Sequence, residues 1–304
     1  MRARDGARAI VTLTSDIGAV YTAQMKAVLL SRAPEAHVID LADDLPAHGV
    51  GEAAFLLRAM AERFPAGTIH VVVVDPGVGG VRAPVIVRLR DGSRLVGPDN
   101  GVLWPLAERI GIDRTWRIEP ARLGLRRVGT TFDGRDLFAP AAAALAVGND
   151  PSTLGVPHLL HRRRVSRARP NASGWAIEVL HADRFGNLIT NLDSEALSPS
   201  TRSFRLHWAG RGPVDLARST SYERLGAGRL GLVDSSFGLV EIAVGLGSAA
   251  QRLGVGSGAR GTLSAVGGRR SSRRPRGGTS MPPRRGARSR GSARSDGSRA
   301  HRDR

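Results

Sequence analysis

Cysteine is absent from the 304 residues. That excludes disulfides, thiolate zinc sites and cysteine nucleophiles together, and it fits the reducing cytoplasm where we expect the protein to reside. Aromatic residues make up only 4%, so any core must be built from Val, Leu, Ile and Ala. The charged start, Met1–Ala9, is not followed by a signal-peptide apolar region, and no run of eighteen or more apolar residues occurs anywhere. Neither secretion nor a membrane span is therefore expected. Lysine is nearly missing as well: Lys26 is the only one, and arginine carries the basic charge.

What is present is a large positive charge, unevenly placed. Of the net +18, about +11 lies from Ser264 onward, where thirteen Arg face two Asp, which leaves the body near +7. The stretch Gly267–Arg304 is made of Arg, Gly, Ser and Pro and holds no Phe, Tyr, Trp, Leu or Ile. Such a segment cannot bury enough apolar surface to offset its ordering entropy, so a disordered basic tail is expected over 266–304. It can attract polyanions weakly by counterion release, but it has no aromatics to stack on bases.

The body has an apolar fraction and length that suit two cored domains. In its first half, β-rich runs alternate with helical patterns. Ile10–Thr14, His37–Leu41 and Ile69–Val74 read as strands, with Val85–Leu89 and Arg94–Val96 as a further pair. Helices are expected over Thr22–Arg32, Gly51–Phe64 and Leu137–Val147. The alternation predicts an α/β domain with a largely parallel sheet over 8–160. A polar, basic stretch from His161 to Gly174 reads as a linker. Beyond it, short strands at Trp175–Leu180, Leu188–Asn191, Ser203–Trp208, Arg229–Val233 and Leu239–Val244 predict a smaller all-β, barrel-like domain over 175–265.

Polar clusters follow several of these strands, where ligands gather in open α/β sheets. They are Thr14-Ser15-Asp16-Ile17-Gly18, Asp75-Pro76-Gly77-Val78-Gly79-Gly80 and Pro98-Asp99-Asn100-Gly101, with Thr131-Phe132-Asp133-Gly134-Arg135-Asp136 before a helix. Taken alone, Asp16 is either a ribose ligand or a turn and helix-cap aspartate. Asp75 ends the most apolar strand and suits either a cationic ligand or a turn. The glycines after it are not a P-loop, because the GK[ST] ending is missing. Arg82 either pairs with Asp75 or lies on the surface. In Asp183-Arg184-Phe185-Gly186-Asn187, Phe185 can stack on a purine and Asn187 can bond its edge, but a hairpin turn explains the same letters. No HExxH zinc motif, GxSxG elbow or post-strand GxGxxG fingerprint is present.

In order, VTLTSDIG, FPAGTIHVVVVDPGVGGVR, GPDNGVL, TTFDGRDLFAPAAAALAVG, DRFGNLITNL and DSSFGLVEIAVGLGSAA resemble the S-adenosylmethionine (SAM) hydroxide adenosyltransferases, relatives of the SAM-dependent fluorinase and chlorinase. The resemblance implies hydrolysis of SAM to adenosine and L-methionine by water or hydroxide attack at the ribose 5′ carbon. It also implies a homotrimer with SAM held between one subunit's first domain and its neighbour's second. Asp16 would hold the ribose hydroxyls, and Tyr21 would belong to the SAM-binding surface. Phe185 and Asn187 would lie on the adenine side, with Asp183 and Ser236 at the amino-acid end of methionine. Asp75, Arg82 and Asp133 would be the catalytic set. A sulfonium is already a good leaving group, so neither metal nor cofactor is implied.

The chain departs from the family pattern at three places. The TFHGRD histidine is Asp133 here, and a carboxylate is a weaker base than imidazole at neutral pH, although a second carboxylate close by would raise one of the two pKa values. The loop between Gly18 and Tyr21 is two residues short and lacks an Asp that would hold the methionine amino group. A histidine after the second strand is Asp43. Two other readings follow from these departures and the kinship: a catalytically impaired SAM- or adenosine-binding protein, and a halogenase, although Asp75 at the nucleophile position would repel halide.

Overall fold

The computed structural model describes residues 8–43, 45–124, 129–208 and 210–266. The expected disordered tail lies, beyond Val266, outside the described residues.

The first sheet is formed by β1 (Ile10–Ser15), β2 (His37–Ala42), β3 (Ile69–Val73), β4 (Pro84–Leu89), β5 (Arg94–Pro98), β6 (Ile112–Ile118) and β7 (Gly155–Pro157). Its order is β2-β1-β3-β5-β4-β6-β7. The expected largely parallel sheet is corrected to a mixed one. β1–β2, β1–β3 and β3–β5 pair in parallel, whereas β4–β5, β4–β6 and β6–β7 pair antiparallel. The cause is local. Only Arg90–Ser93 separates β4 from β5, too few residues for a parallel crossover. Gly92 supplies the positive φ of +87° for the reversal, and the Asp91 carboxylate accepts the Ser93 amide at 2.9 Å.

Helices cover both faces of this sheet. α1 (Gly18–Arg32) buries Thr22, Met25 and Leu29, spaced by one helical turn. It packs with α4 (Ala139–Ala146) over Val11, Leu13, Val71 and Val73. α2 (Val50–Ala61) and α3 (Trp104–Ile110) cover the other face, over Val72, Val74, Val85 and Val87. β3 thus sends alternate valines into two separate cores, and each fully buried side chain contributes about 1.5–3 kcal/mol. Every element expected in this half is present. α3, β6 and β7 were not anticipated.

The second sheet contains β8 (Arg169–Asn171), β9 (Gly174–Ala182), β10 (Leu188–Asp193), β11 (Ser203–Trp208), β12 (Val214–Arg218), β13 (Leu230–Asp234), β14 (Leu239–Val244) and β15 (Arg260–Ala265). Pairing of β10 with both β14 and β9 closes seven of these strands into a barrel, with β8 appended to β9. β8 falls within the stretch read as a linker. All pairings are antiparallel except β12–β13. Phe204, Leu206, Leu232, Ile242 and Leu263 fill the interior. The barrel touches the first domain through α2: the Glu52 carboxylate meets His181 Nδ1 of β9, both groups largely buried. Phe55 and Phe237 also meet edge to face, with centroids 5.5 Å apart. No helix among the described residues is long and apolar enough to cross a membrane.

Candidate active site

Asp75 stands just past the end of β3, where the strand leaves its two cores, and the turn through Gly80 returns the chain so that Arg82 faces back. Arg82 Nε donates to Asp75 Oδ2 at 2.8 Å, and Nη2 donates to the same oxygen. Nη2 also donates to Asp133 Oδ2 at 2.5 Å. One guanidinium therefore links two carboxylates that lie 58 positions apart in the chain. All three side chains are shielded, with exposures of 4% for Asp75, 11% for Arg82 and 3% for Asp133. Burial pulls the Arg82 pKa down, but hydrogen bonds and charge pairing with both aspartates outweigh it and hold the group above its ordinary value. It is a permanent cation.

Asp75 Oδ1 is buried and has no hydrogen-bond partner. An acceptor in that condition costs about 1–3 kcal/mol, so the site carries a carboxylate oxygen ready to take a proton donor. Thr14 Oγ1, near the end of β1, is likewise buried and unpartnered; a threonine closing a buried strand beside Asp16 was its only sequence signal. Asn100 braces the floor. Its Nδ2 donates to the Val74 carbonyl at 2.9 Å, and its Oδ1 accepts the Val102 amide at 3.1 Å.

Asp133 enters from a π-helical turn, Gly134–Phe138, that runs into α4. The ring before it, Phe132, meets Tyr21 edge-on at 5.4 Å and lies under the Arg135 guanidinium at 5.1 Å. Arg135 is itself held by Asp136 and by Gln24 of α1. Tyr21, half exposed, thus packs on the residue that precedes Asp133. Asp16 has one carboxylate oxygen occupied by the His48 amide at 2.7 Å; His48 adopts a positive φ of 66° to reach it. Gly18 and the shortened segment to Tyr21 form the first turn of α1.

The barrel residues form a second group. Asp183 Oδ1 accepts the amides of Phe185 and Asn187, each at 2.9 Å, and Oδ2 accepts Asn187 Nδ2 at 3.0 Å. Asp183 therefore fixes its own turn and presents Phe185 to solvent at 69% exposure. Nearby, the Tyr222 hydroxyl donates to buried Glu241 at 2.7 Å. Burial, then the Asp183 charge, raises the Glu241 carboxyl above its usual range. Ser236 is exposed in the β13–β14 turn, whereas its neighbour Ser235 is buried and accepts the amides of Phe237 and Leu239. Among the described residues, no hydrogen bond or ion pair joins this group to Asp75, Arg82 or Asp133. Nor does any group of three or more His, Asp or Glu side chains there form a cradle for a metal ion.

Comparison with known proteins finds a family match for each half of the chain. The SAM hydroxide adenosyltransferase N-terminal domain model matches residues 11–155, and the C-terminal domain model matches residues 177–262. A Salinispora tropica protein named (R)-S-adenosyl-L-methionine hydrolase is 36% identical, over 82% of this chain and 95% of that protein. A Thermus thermophilus protein of the same name is 38% identical, over 78% of this chain and 92% of its own. A Thermotoga maritima crystal structure, described as an uncharacterized conserved protein, superposes with a TM-score of 0.76 at 31% identity, covering 84% of this chain and 99% of that one. With both halves matched in order, the chain belongs to the SAM hydroxide adenosyltransferase family.

Proposed function

We propose that the protein hydrolyses SAM to adenosine and L-methionine. Water attacks the ribose 5′ carbon in line with the sulfonium. The new C5′–O bond forms as the C5′–S bond breaks, and the bonding pair passes to sulfur to give neutral methionine. The observation that carries this reading is the unpartnered, buried Asp75 Oδ1, aimed by an Arg82 that grips the other oxygen. Asp75 orients the water and takes its proton, and Arg82 stabilises hydroxide character. Alignment and partial desolvation of this kind supply up to roughly 7–11 kcal/mol. Asp133 is tied to Arg82, so its role is to position the guanidinium rather than to replace histidine as base.

In this reading Asp16 and Tyr21 take the ribose side, and Phe185, Asn187, Asp183 and Ser236 come from a neighbouring subunit of a homotrimer. The exposure of Phe185 and the self-contained Asp183 turn support that arrangement. The (R) epimer specified in the names of both relatives is the form we assign as substrate.

The test is chromatography of products from purified protein and each SAM epimer, with and without chloride, beside Asp75→Ala and Arg82→Ala proteins. Adenosine and methionine, lost in both variants and indifferent to chloride, are expected. SAM binding without product would instead establish the impaired binding protein. Mixing Asp75→Ala with Phe185→Ala subunits should restore activity, since some shared sites would then hold both intact groups.

A further inference from the structure

A second concavity has none of Asp75, Arg82 and Asp133 in its lining, although His48, whose amide holds Asp16, stands at its edge. It is a groove of about 1160 Å³ bounded by α2, the segment 163–169, β9 and the start of β15. Six arginines line it: Arg58, Arg163, Arg164, Arg167, Arg169 and Arg260. Its two carboxylates are already engaged. Glu52 is held by His181, and Glu178 accepts from Ser166 and faces Arg260 at 3.4 Å. Arg58, Arg163, Arg164, Arg167 and Arg169 have no carboxylate partner among the described residues. Elsewhere the fold pairs its arginines readily, as in Arg88–Asp113, Arg109–Glu62, Arg205–Asp215 and Arg218–Asp234. Five arginines without a carboxylate partner, lining one concavity, focus a positive potential into it.

The charge of the whole chain narrows the occupant. The segment after Ser264 carries thirteen Arg against two Asp, and the groove repels it. The volume is close to that of small-molecule sites, roughly 300–1,000 Å³, with room for retained water. Guanidinium forks match phosphoryl oxygens two at a time, where an ammonium acts only as a point charge. We propose that this groove binds a polyphosphate, inorganic or carried on a nucleoside, with its chain of phosphoryl groups laid along Arg58, Arg164 and Arg167. The site goes beyond the hydrolytic reading and stands whether or not that reading holds.

Calorimetric titration of the full chain tests it, using phosphate, pyrophosphate, tripolyphosphate, ATP and a short single-stranded oligonucleotide. Affinity should climb along the inorganic series and fall as salt rises from about 50 to about 200 mM. Replacing Arg58, Arg164 and Arg167 together by Gln should weaken tripolyphosphate by about tenfold or more. Replacing Arg284, Arg285 and Arg288 of the tail by Gln should change it less than about twofold. ATP binding as tightly as tripolyphosphate would mark the inorganic chain as the recognised part; tighter ATP binding would mark the nucleoside form. Equal losses in the groove and tail variants, or no tripolyphosphate binding, would overturn the proposal. So would an oligonucleotide that binds more tightly than tripolyphosphate and is lost in the groove variant. The groove positions are exposed or half-buried, so the fold should survive; if the triple variant fails to melt cooperatively, Arg164→Glu alone decides.

Discussion

The two groups of candidate site residues are built on opposite plans. Asp75, Arg82 and Asp133 are shielded and bonded to one another, within one domain and around one guanidinium. The Asp183 turn is also internally bonded, but it uses those bonds to push Phe185 outward. The first group has its geometry before any ligand arrives. The second leaves the Phe185 ring exposed, and in our proposal its contacts are made only against SAM. Groups that act on the reacting atoms gain from being fixed in advance, and those that hold the rest of a substrate do not need to be buried to work.

The largest effect that would break this contrast is expected at Arg82. Arg82→Met leaves two shielded carboxylates without their shared cation, so we expect about 3–5 kcal/mol lost from stability and turnover down by about 10²–10³ or more. Thermal melting and product formation read the two separately. An active, equally stable Arg82→Met protein would mean that the cluster is not the reacting centre.

Next comes pH, which separates the sheet from the barrel. His70 on β3 donates to or accepts from Thr12 at 2.8 Å, and burial, partly countered by Asp91, lowers its pKa from 6.5 to about 4. A depressed folded pKa means that the unfolded chain takes the proton first. The contribution is therefore complete above about pH 6.5 and is lost as pH falls toward about 4, by about 3 kcal/mol in all. Hydrogen exchange should show β1 and β3 loosening in that window before β11 and β15. A His70→Asn protein should lose that part of the pH dependence.

Phe185→Ala sharpens the contrast from the other side. Its ring is exposed, so stability should stay within about 0.5 kcal/mol, while loss of purine stacking should weaken SAM binding by about 1–3 kcal/mol. A lowered melting temperature would show that Phe185 belongs to the fold instead. The smallest effect is expected from Ser236→Ala, about a threefold rise in KM with kcat unchanged, as befits one exposed hydrogen bond.

Much of this was legible in the sequence, for identifiable reasons. Strands buried on both faces announce themselves as continuous β-branched runs, as Val71–Val74 does. Strand β6 does not: Ile112–Ile118 is a near-edge strand whose Asp113, Arg114 and Arg117 face water, so it reads as polar chain. β15, Arg-Gly-Thr-Leu-Ser-Ala, carries Leu263 as its one large apolar side chain, and its pairing with β9 and β11 is what makes it a strand. The direction of half the sheet was misread because alternation with helices predicts parallel strands, while the four-residue turn after β4 forbids them. The pairing of Asp75 with Arg82 could be read from a span of seven residues. The grip of Asp183 on its own turn, and the meeting of Glu52 with His181 across 129 positions, leave no periodic or compositional trace.

Gly134 follows Asp133 directly, and a Cβ there would sit 2.9 Å from the Phe132 ring, 3.0 Å from Met25 sulfur and 3.1 Å from Val73. The backbone beside Asp133 is therefore located by its successor's lack of a side chain. A position whose address is set by its neighbour can change occupant by single-residue replacement while the surrounding domain keeps its shape. Asp133, standing where the resemblance leads one to expect histidine, occupies such a position.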